Sequence, residues 1–307
     1  MTCRFASVLV CIFLAAASAQ AQWLSYPTCG VPRTPDGKPD LAAPAPETFG
    51  DVPDLSGIWQ TNAGGCALNV ASGLPAGEIQ PWAASLYTQR FQKFAKDNPA
   101  YSCKPVYGPA ITLGMLGTYK ILQTAGALAF LPGGDYGFGH AEYRQVLLDG
   151  RRLSTAPGAS WQGYSIGHWE SGSMVIESGG FNDLTWLDIG GHSHTEDLHI
   201  TERFRRSDFG HLQIQITYMD AAIYAKPWTI SMTAVLLPDT ELTETVCNEN
   251  ECDLRHFVVT DEDRRQLSGN LKLSSEVLSR YVGVYEVPGP GGNNLKRTQS
   301  RAQGISL

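Results

Sequence analysis

The stretch Phe181–Arg206, FNDLTWLDIGGHSHTEDLHITERFRR, holds the densest run of side chains able to do chemistry. It contains Asp183, Asp188, His192, His194, Glu196 and Glu202, and three of the seven histidines lie between His192 and His199. From His192 onward, chemically similar residues recur at every second position. On a strand this would put His192, His194, Glu196, Leu198, Ile200, Glu202 and Phe204 on one face, because successive side chains point to opposite sides. Two imidazoles and a carboxylate so placed suit a divalent ion such as zinc, which takes nitrogen and oxygen ligands. His192, His194 and Glu196 are therefore the metal candidates, with His211, Glu202 or Asp188 as further ligands. Asp188, His192 and Glu202 are the candidate acid–base residues. The plainer alternatives are turn-capping aspartates and an inward carboxylate paired with Arg144 or Arg203, since a buried charge needs a partner.

No other motif competes with this stretch. Gly163-Tyr164-Ser165-Ile166-Gly167 matches the letters of a nucleophile elbow, but that motif needs a strand–turn–helix and here a strand continues into Trp169. No phosphate-cradling loop and no dinucleotide fingerprint occurs.

The surrounding elements read as mainly β. Thirty-two glycines and eighteen prolines in 307 residues imply many turns. Strands are predicted at Tyr119–Thr124, Ala127–Leu131, Tyr143–Leu148, Gly163–Trp169, Ser173–Ser178, His194–Arg205, Leu212–Tyr218, Thr229–Leu237 and Leu242–Cys247. Turn-forming sequences such as Asp149-Gly150 and Ser207-Asp208-Phe209-Gly210 separate them. Leu212, Ile214, Ile216 and Tyr218 alternate with polar residues, as on a sheet with one buried face. Leu74–Asp97 is predicted helical, opened by Pro81 and ended by Asn98-Pro99. Its aromatics Trp82, Phe91 and Phe94 are assigned to the core.

The chain ends have their own character. Residues 1–21 have the form of a secretory leader, with Arg4, an apolar run and small residues around Ala19. A periplasmic or secreted location follows. Residues 22–54 are proline- and glycine-rich and form an extended arm. The barrel domain is assigned to 55–260, a linker and the first strand of a truncated second module to 261–287, and a disordered tail to 288–307. The net charge of -7 argues against nucleic-acid and anionic-membrane partners. Stable membrane insertion is not expected, and the oligomeric state is left open. An oxidising compartment permits disulfides, and Cys66–Cys103 and Cys247–Cys252 are the suggested pairs.

Gly57-Ile58-Trp59 after the arm resembles the G-x-W opening of lipocalin-like barrels, in which the tryptophan plugs one end. Leu278–Tyr285 resembles the opening strand of another small lipocalin-like module of secreted bacterial proteins. Several longer motifs (Trp161–Glu170, Gly180–Asp183, Thr185–Asp188 and Thr201–Phe204) resemble a family of exported proteins of acidobacteria and proteobacteria. The resemblance spans nearly the whole chain after the leader. It implies export and a lipocalin-like barrel, and it brings no assigned catalytic residues. Cys29 stands where the family pattern has proline, and Cys252 is extra.

The fold expected is thus an antiparallel lipocalin-like β-barrel with one or two short helices and an extended N-terminal arm. Two functions are consistent with it. One is binding of a small, apolar or aromatic ligand by Trp161, Tyr164, Trp169 and Trp186, with a divalent metal at the barrel mouth. The other is a secreted hydrolase or acid–base isomerase using Asp188, His192, His194 and Glu202.

Overall fold

The computed structural model describes residues 26–48, 50–63, 65–75, 77–115, 117–133, 143–153 and 158–242, with backbone strands at 283–288 and 294–299. The expected leader at residues 1–21, Cys247, Cys252, residues 261–282 and the predicted strand Leu242–Cys247 beyond its first residue lie outside these. The chain divides into two units, Met1–Glu251 and Cys252–Leu307.

In the first unit a small hairpin, β1 (Glu47–Thr48) and β2 (Val52–Pro53), precedes β3 (Gly57–Asn62). Among the described residues one α-helix, α1 (Pro81–Gln92), and two 3-10 turns, Pro99–Ser102 and Gly108–Ile111, follow. The remaining strands are β4 (Thr118–Gln123), β5 (Ala127–Pro132), β6 (Arg144–Leu147), β7 (Tyr164–Glu170), β8 (Ser173–Gly179), β9 (His199–Arg206), β10 (His211–Met219) and β11 (Trp228–Leu236). Strands β3 to β11 close into a barrel in the order β10-β11-β3-β4-β5-β6-β7-β8-β9. Closure leaves no open sheet edge. Every neighbouring pair is antiparallel except β6 and β7, which run parallel over Val146↔Ser165 and Leu147↔Ile166. The barrel is therefore mixed at this one seam, where the connection from β6 does not turn back as a hairpin.

Alternation decides the faces. On β10, Leu212, Ile214, Ile216 and Tyr218 are fully buried and face inward. On β9 the inward set is Ile200, Glu202, Phe204 and Arg206. One barrel end is closed by Trp59, whose Nε1 donates to the Leu55 carbonyl at 2.9 Å. The Arg206 guanidinium lies 5.0 Å from the Trp59 ring and donates to the carbonyls of Asp54, Ser56, Asp208 and Phe209. It thereby ties the start of β3 to the β9–β10 turn. Gly57 has φ +142, and a Cβ there would sit 2.4 Å from Leu236 Cδ1, so only glycine lets the chain enter the barrel at this point.

The other end is filled by the chain itself. Tyr107, Ala110, Ile111, Thr112 and Leu113 are fully buried. This segment touches inward groups of several strands: Tyr107 Oη meets Tyr218 Oη at 3.2 Å, and Thr112 Oγ1 donates to Glu202 Oε1 at 3.3 Å. A Cβ on Gly108 would lie 3.0 Å from Arg144 Cδ.

Helix α1 is shorter than predicted and its aromatics are not core. Trp82, Phe91 and Phe94 are at least half exposed, whereas Ala83 is buried. The stripe facing the barrel is Ala83, Leu86, Tyr87 and Arg90, at helical spacing. Trp82 and Phe91 fall on its two flanks, and Phe94 lies past the helix end with φ 55. Among the described residues no helix is long and apolar enough to cross a membrane.

Cys29 and Cys66 are free thiols, so the suggested Cys66–Cys103 bridge does not form. In the second unit, β12 (Gly283–Pro288) pairs antiparallel with β13 (Asn294–Gln299). Part of the tail expected to be disordered is thus a strand.

Candidate functional site

Strand β9 begins at His199, not at His194 as expected, and this one shift rearranges the expected constellation. Gly190 and Gly191 draw the preceding loop tightly beneath α1. A Cβ on Gly190 would lie 2.5 Å from the Leu68 carbonyl oxygen, and Gly191 has φ +110. The loop then turns at Thr195–Leu198, where Leu198 N donates to Thr195 O at 3.2 Å. Residues 192–197 are consequently not in strand phase, whereas Leu198, Ile200, Glu202 and Phe204 are.

Asp188 organises this loop. Its carboxylate, fully buried, accepts from Val70 N at 2.9 Å, Gly191 N at 2.7 Å, His192 N at 3.0 Å and His192 Nδ1 at 2.5 Å. A carboxylate can only accept, so His192 carries its proton on Nδ1. The imidazole stacks on Tyr87, with centroids 3.8 Å apart. His192 Nε2 has no partner among the described residues, and the side chain is 5% exposed. Arg90 crosses from α1, donating to Gly191 O and Ser193 Oγ at 2.8 Å each and packing 4.3 Å from the Trp186 ring.

His194 faces a different set of partners. Its Nδ1 donates to the Thr195 carbonyl at 3.0 Å, which fixes the tautomer, and its Nε2 accepts from Thr185 Oγ1 at 2.6 Å. Burial lowers its pKa from 6.5 by penalising the imidazolium. Glu196 is exposed to solvent. The expected metal trio is thus split between a buried Asp188-bound ring, a buried threonine-bound ring and a surface carboxylate. No group of three or more His, Cys, Asp or Glu among the described residues is arranged to hold a metal ion. His211, a further candidate ligand, pairs with Asp208 at 2.7 Å at the opposite, Trp59 end.

Glu202 points into the barrel and pairs with Arg144. Arg144 Nη1 donates to Oε1 at 3.1 Å and Nη2 to Oε2; the side chains are 2% and 0% exposed. Ser165 and Ser178 accept the remaining guanidinium bonds at 3.2 and 2.9 Å. Arg203, the other proposed partner, lies on the outer face and bonds Glu170 at 2.6 Å. Around this ion pair, burial drives the Tyr107, Tyr119 and Tyr218 phenols well above their ordinary pKa. The network is therefore a satisfied, charge-neutral core, not an acid–base pair open to a substrate.

The four candidate aromatics do not gather either. Trp186 is buried under Arg90. Trp161 is half-buried beside the bridge between Ser160 and Phe181. Tyr164 and Trp169 lie five residues apart on β7, hence on opposite faces. Tyr164 lines a cavity of about 230 Å³ at the β6–β7 seam. Trp169 lines one of about 130 Å³ with Thr48, Val52 and Gln123.

A larger cavity, about 280 Å³, lies outside the Trp59 end. The arm roofs it with Val31 and Pro46, and its floor is Ile58, Phe209, Leu236 and Leu237. The Lys120 side chain lines it and has no partner among the described residues. Arg33 clamps the arm by a two-pronged bond to Asp239, at 2.7 and 2.8 Å, and Asp239 also accepts from Thr28 N. These bonds pull the Asp239 pKa down to about 2, the Arg33 bond contributing most. Sequence reasoning missed this cavity because its walls come from residues more than two hundred positions apart. The pairing of Arg33 with Asp239 left no local signal.

No family model matches the chain, and neither a curated protein nor a solved structure matches it.

Proposed function

We propose that this chain is an exported binding protein for a small, largely apolar molecule, held between the N-terminal arm and the Trp59 end of the barrel. The observation that carries this reading is the arm-roofed cavity of about 280 Å³. It approaches the range of about 300–1,000 Å³ common for small-molecule clefts, and its apolar walls Val31, Pro46, Ile58, Phe209, Leu236 and Leu237 are joined by polar groups that include Asp54, Ser56, Lys120 and Arg206. Lys120 supplies a cation for a guest with an acidic end. The lumen that a lipocalin-like barrel would use is taken up by Tyr107–Leu113 and the Arg144–Glu202 pair. An acid–base enzyme built on Asp188, His192, His194 and Glu202 gains no support, since Asp188, His194 and Glu202 are committed to structural partners.

The test is titration with anilinonaphthalene sulfonate, an apolar fluorophore carrying one anionic group. The wild-type chain should bind it saturably. Val31→Trp, which fills the cavity from the arm and changes no residue of the barrel, should abolish binding while leaving the unfolding transition in place.

A further inference from the structure

We propose that the guest of the arm cavity is a medium-chain monocarboxylate, with its hydrocarbon chain under the arm and its head group at Lys120. This rests on the reading of that cavity as the binding site and names what the site takes.

Lys120 on β4 and Ile58 on β3 are cross-strand partners. Directly opposed residues stand on the same side of a sheet. Here that side is the outer one, because Trp59 on β3 and Tyr119 and Ile121 on β4 take the inner one. Ile58 is nevertheless only 7% exposed, since the arm passes over it. The Lys120 side chain therefore stands beside this apolar floor and lines the same cavity. It is half-buried, and no carboxylate, carbonyl or hydroxyl among the described residues accepts from it.

The charges around the cavity leave a surplus of one cation. The charged lining residues are Asp54, Lys120 and Arg206. Arg206 gives its N–H groups to backbone carbonyls, and the carboxylates whose fields favour its charged form are Asp54 and Asp208. Asp54 is held in place by Ser56 N, which donates to it at 2.8 Å. The Arg33–Asp239 clamp beside the cavity is closed on itself. Lys120 is thus the cation left over. A neutral guest would leave the ammonium partly desolvated and unpaired. An amine would set like charges together. A phosphate monoester, with close to two negative charges, would overshoot the balance. A carboxylate is a compact head group with one negative charge, and its hydrogen bond to an ammonium is of the strong, charge-assisted kind.

Size sets the chain length. A water-sized group takes about 30 Å³ of liquid, so the cavity of about 280 Å³ has room for about nine such groups. Octanoate, with about ten non-hydrogen atoms, is of that size.

The experiment is calorimetric titration of the full chain with octanoate, hexanoate, octanol and octylamine at pH 7, repeated on Val31→Trp, Lys120→Met and Lys120→Arg. Octanoate should bind saturably, about tenfold more tightly than octanol and about tenfold more tightly than hexanoate, which has two fewer CH₂ groups to bury. Octylamine should bind more weakly still. Lys120→Met should bring octanoate down to the level of octanol, and Lys120→Arg, which keeps the charge, should restore the difference. Octanol or octylamine binding as tightly as octanoate, with all binding lost in Val31→Trp, overturns the carboxylate and leaves the arm cavity standing. So does octanoate binding that Lys120→Met leaves unchanged, and equal affinity for hexanoate and octanoate overturns the chain length. Binding of none of the four, or equal binding in Val31→Trp, overturns this proposal and the cavity reading together.

Discussion

Replacing Glu202 by Gln keeps the shape of the side chain and removes its charge, in a place water does not reach. Glu202 is 0% and Arg144 2% exposed. Two guanidinium nitrogens and the Thr112 hydroxyl donate to the carboxylate. In Glu202→Gln the amide oxygen can still accept, but the guanidinium is left buried without its counter-charge, and the amide NH₂ faces another donor. Breaking a buried pair from one side costs about 3–5 kcal/mol. A domain of this size shifts its Tm by about 2–4 °C per kcal/mol, so the fall should be about 6–20 °C. Thermal unfolding by circular dichroism, with urea unfolding as a check on ΔG, measures it. The double variant Arg144→Met/Glu202→Leu should recover most of the loss, because apolar residues of similar volume need no counter-charge. A loss below about 1 kcal/mol in Glu202→Gln would refute the buried, isolated pair, since exposed pairs are worth that little.

Three further outcomes follow from the same geometry. Asp188→Ala strands three backbone N–H groups and the His192 ring, and should cost about 3 kcal/mol or more; hydrogen exchange at Gly191 and His192 should rise first. His194 has a lowered folded pKa, so its contribution to stability is present above the unfolded value of 6.5 and falls as pH drops below it. Urea midpoints from pH 7.5 to 5 should show this slope, and His194→Gln should flatten it. Asp239→Asn removes the charge that holds Arg33, so amide exchange over Thr28–Thr34 should speed up with little change in barrel unfolding.

How much of this was legible in the sequence depended on how local the cause was. Leu212, Ile214, Ile216 and Tyr218 announced their buried face because period-2 alternation is a property of one strand. The inward aim of Glu202 followed from the same phase, read back from Phe204, while its partner stayed open between Arg144 and Arg203 until the structure paired it with Arg144. The phase failed at His192 because Gly190, Gly191 and the Thr195–Leu198 turn break the strand, and alternation carries no meaning in a loop. The aromatics of α1 misled for another reason. Hydrophobicity predicts burial only when the residue lies on the packed stripe, and here Ala83, Tyr87 and Arg90 occupy it. The arm cavity and the plugging of the lumen by Tyr107–Leu113 rest on contacts between distant segments, which no window of sequence displays. Export and the resemblance to exported bacterial proteins rest on the sequence motifs alone.

The central claim is that the guest sits under the arm and not in the barrel. The direct measurement is fluorescence titration of wild-type chain and Val31→Trp with anilinonaphthalene sulfonate, read beside their unfolding curves. Saturable binding that disappears in Val31→Trp at unchanged stability is the expected result. Equal affinity in the two proteins would contradict it.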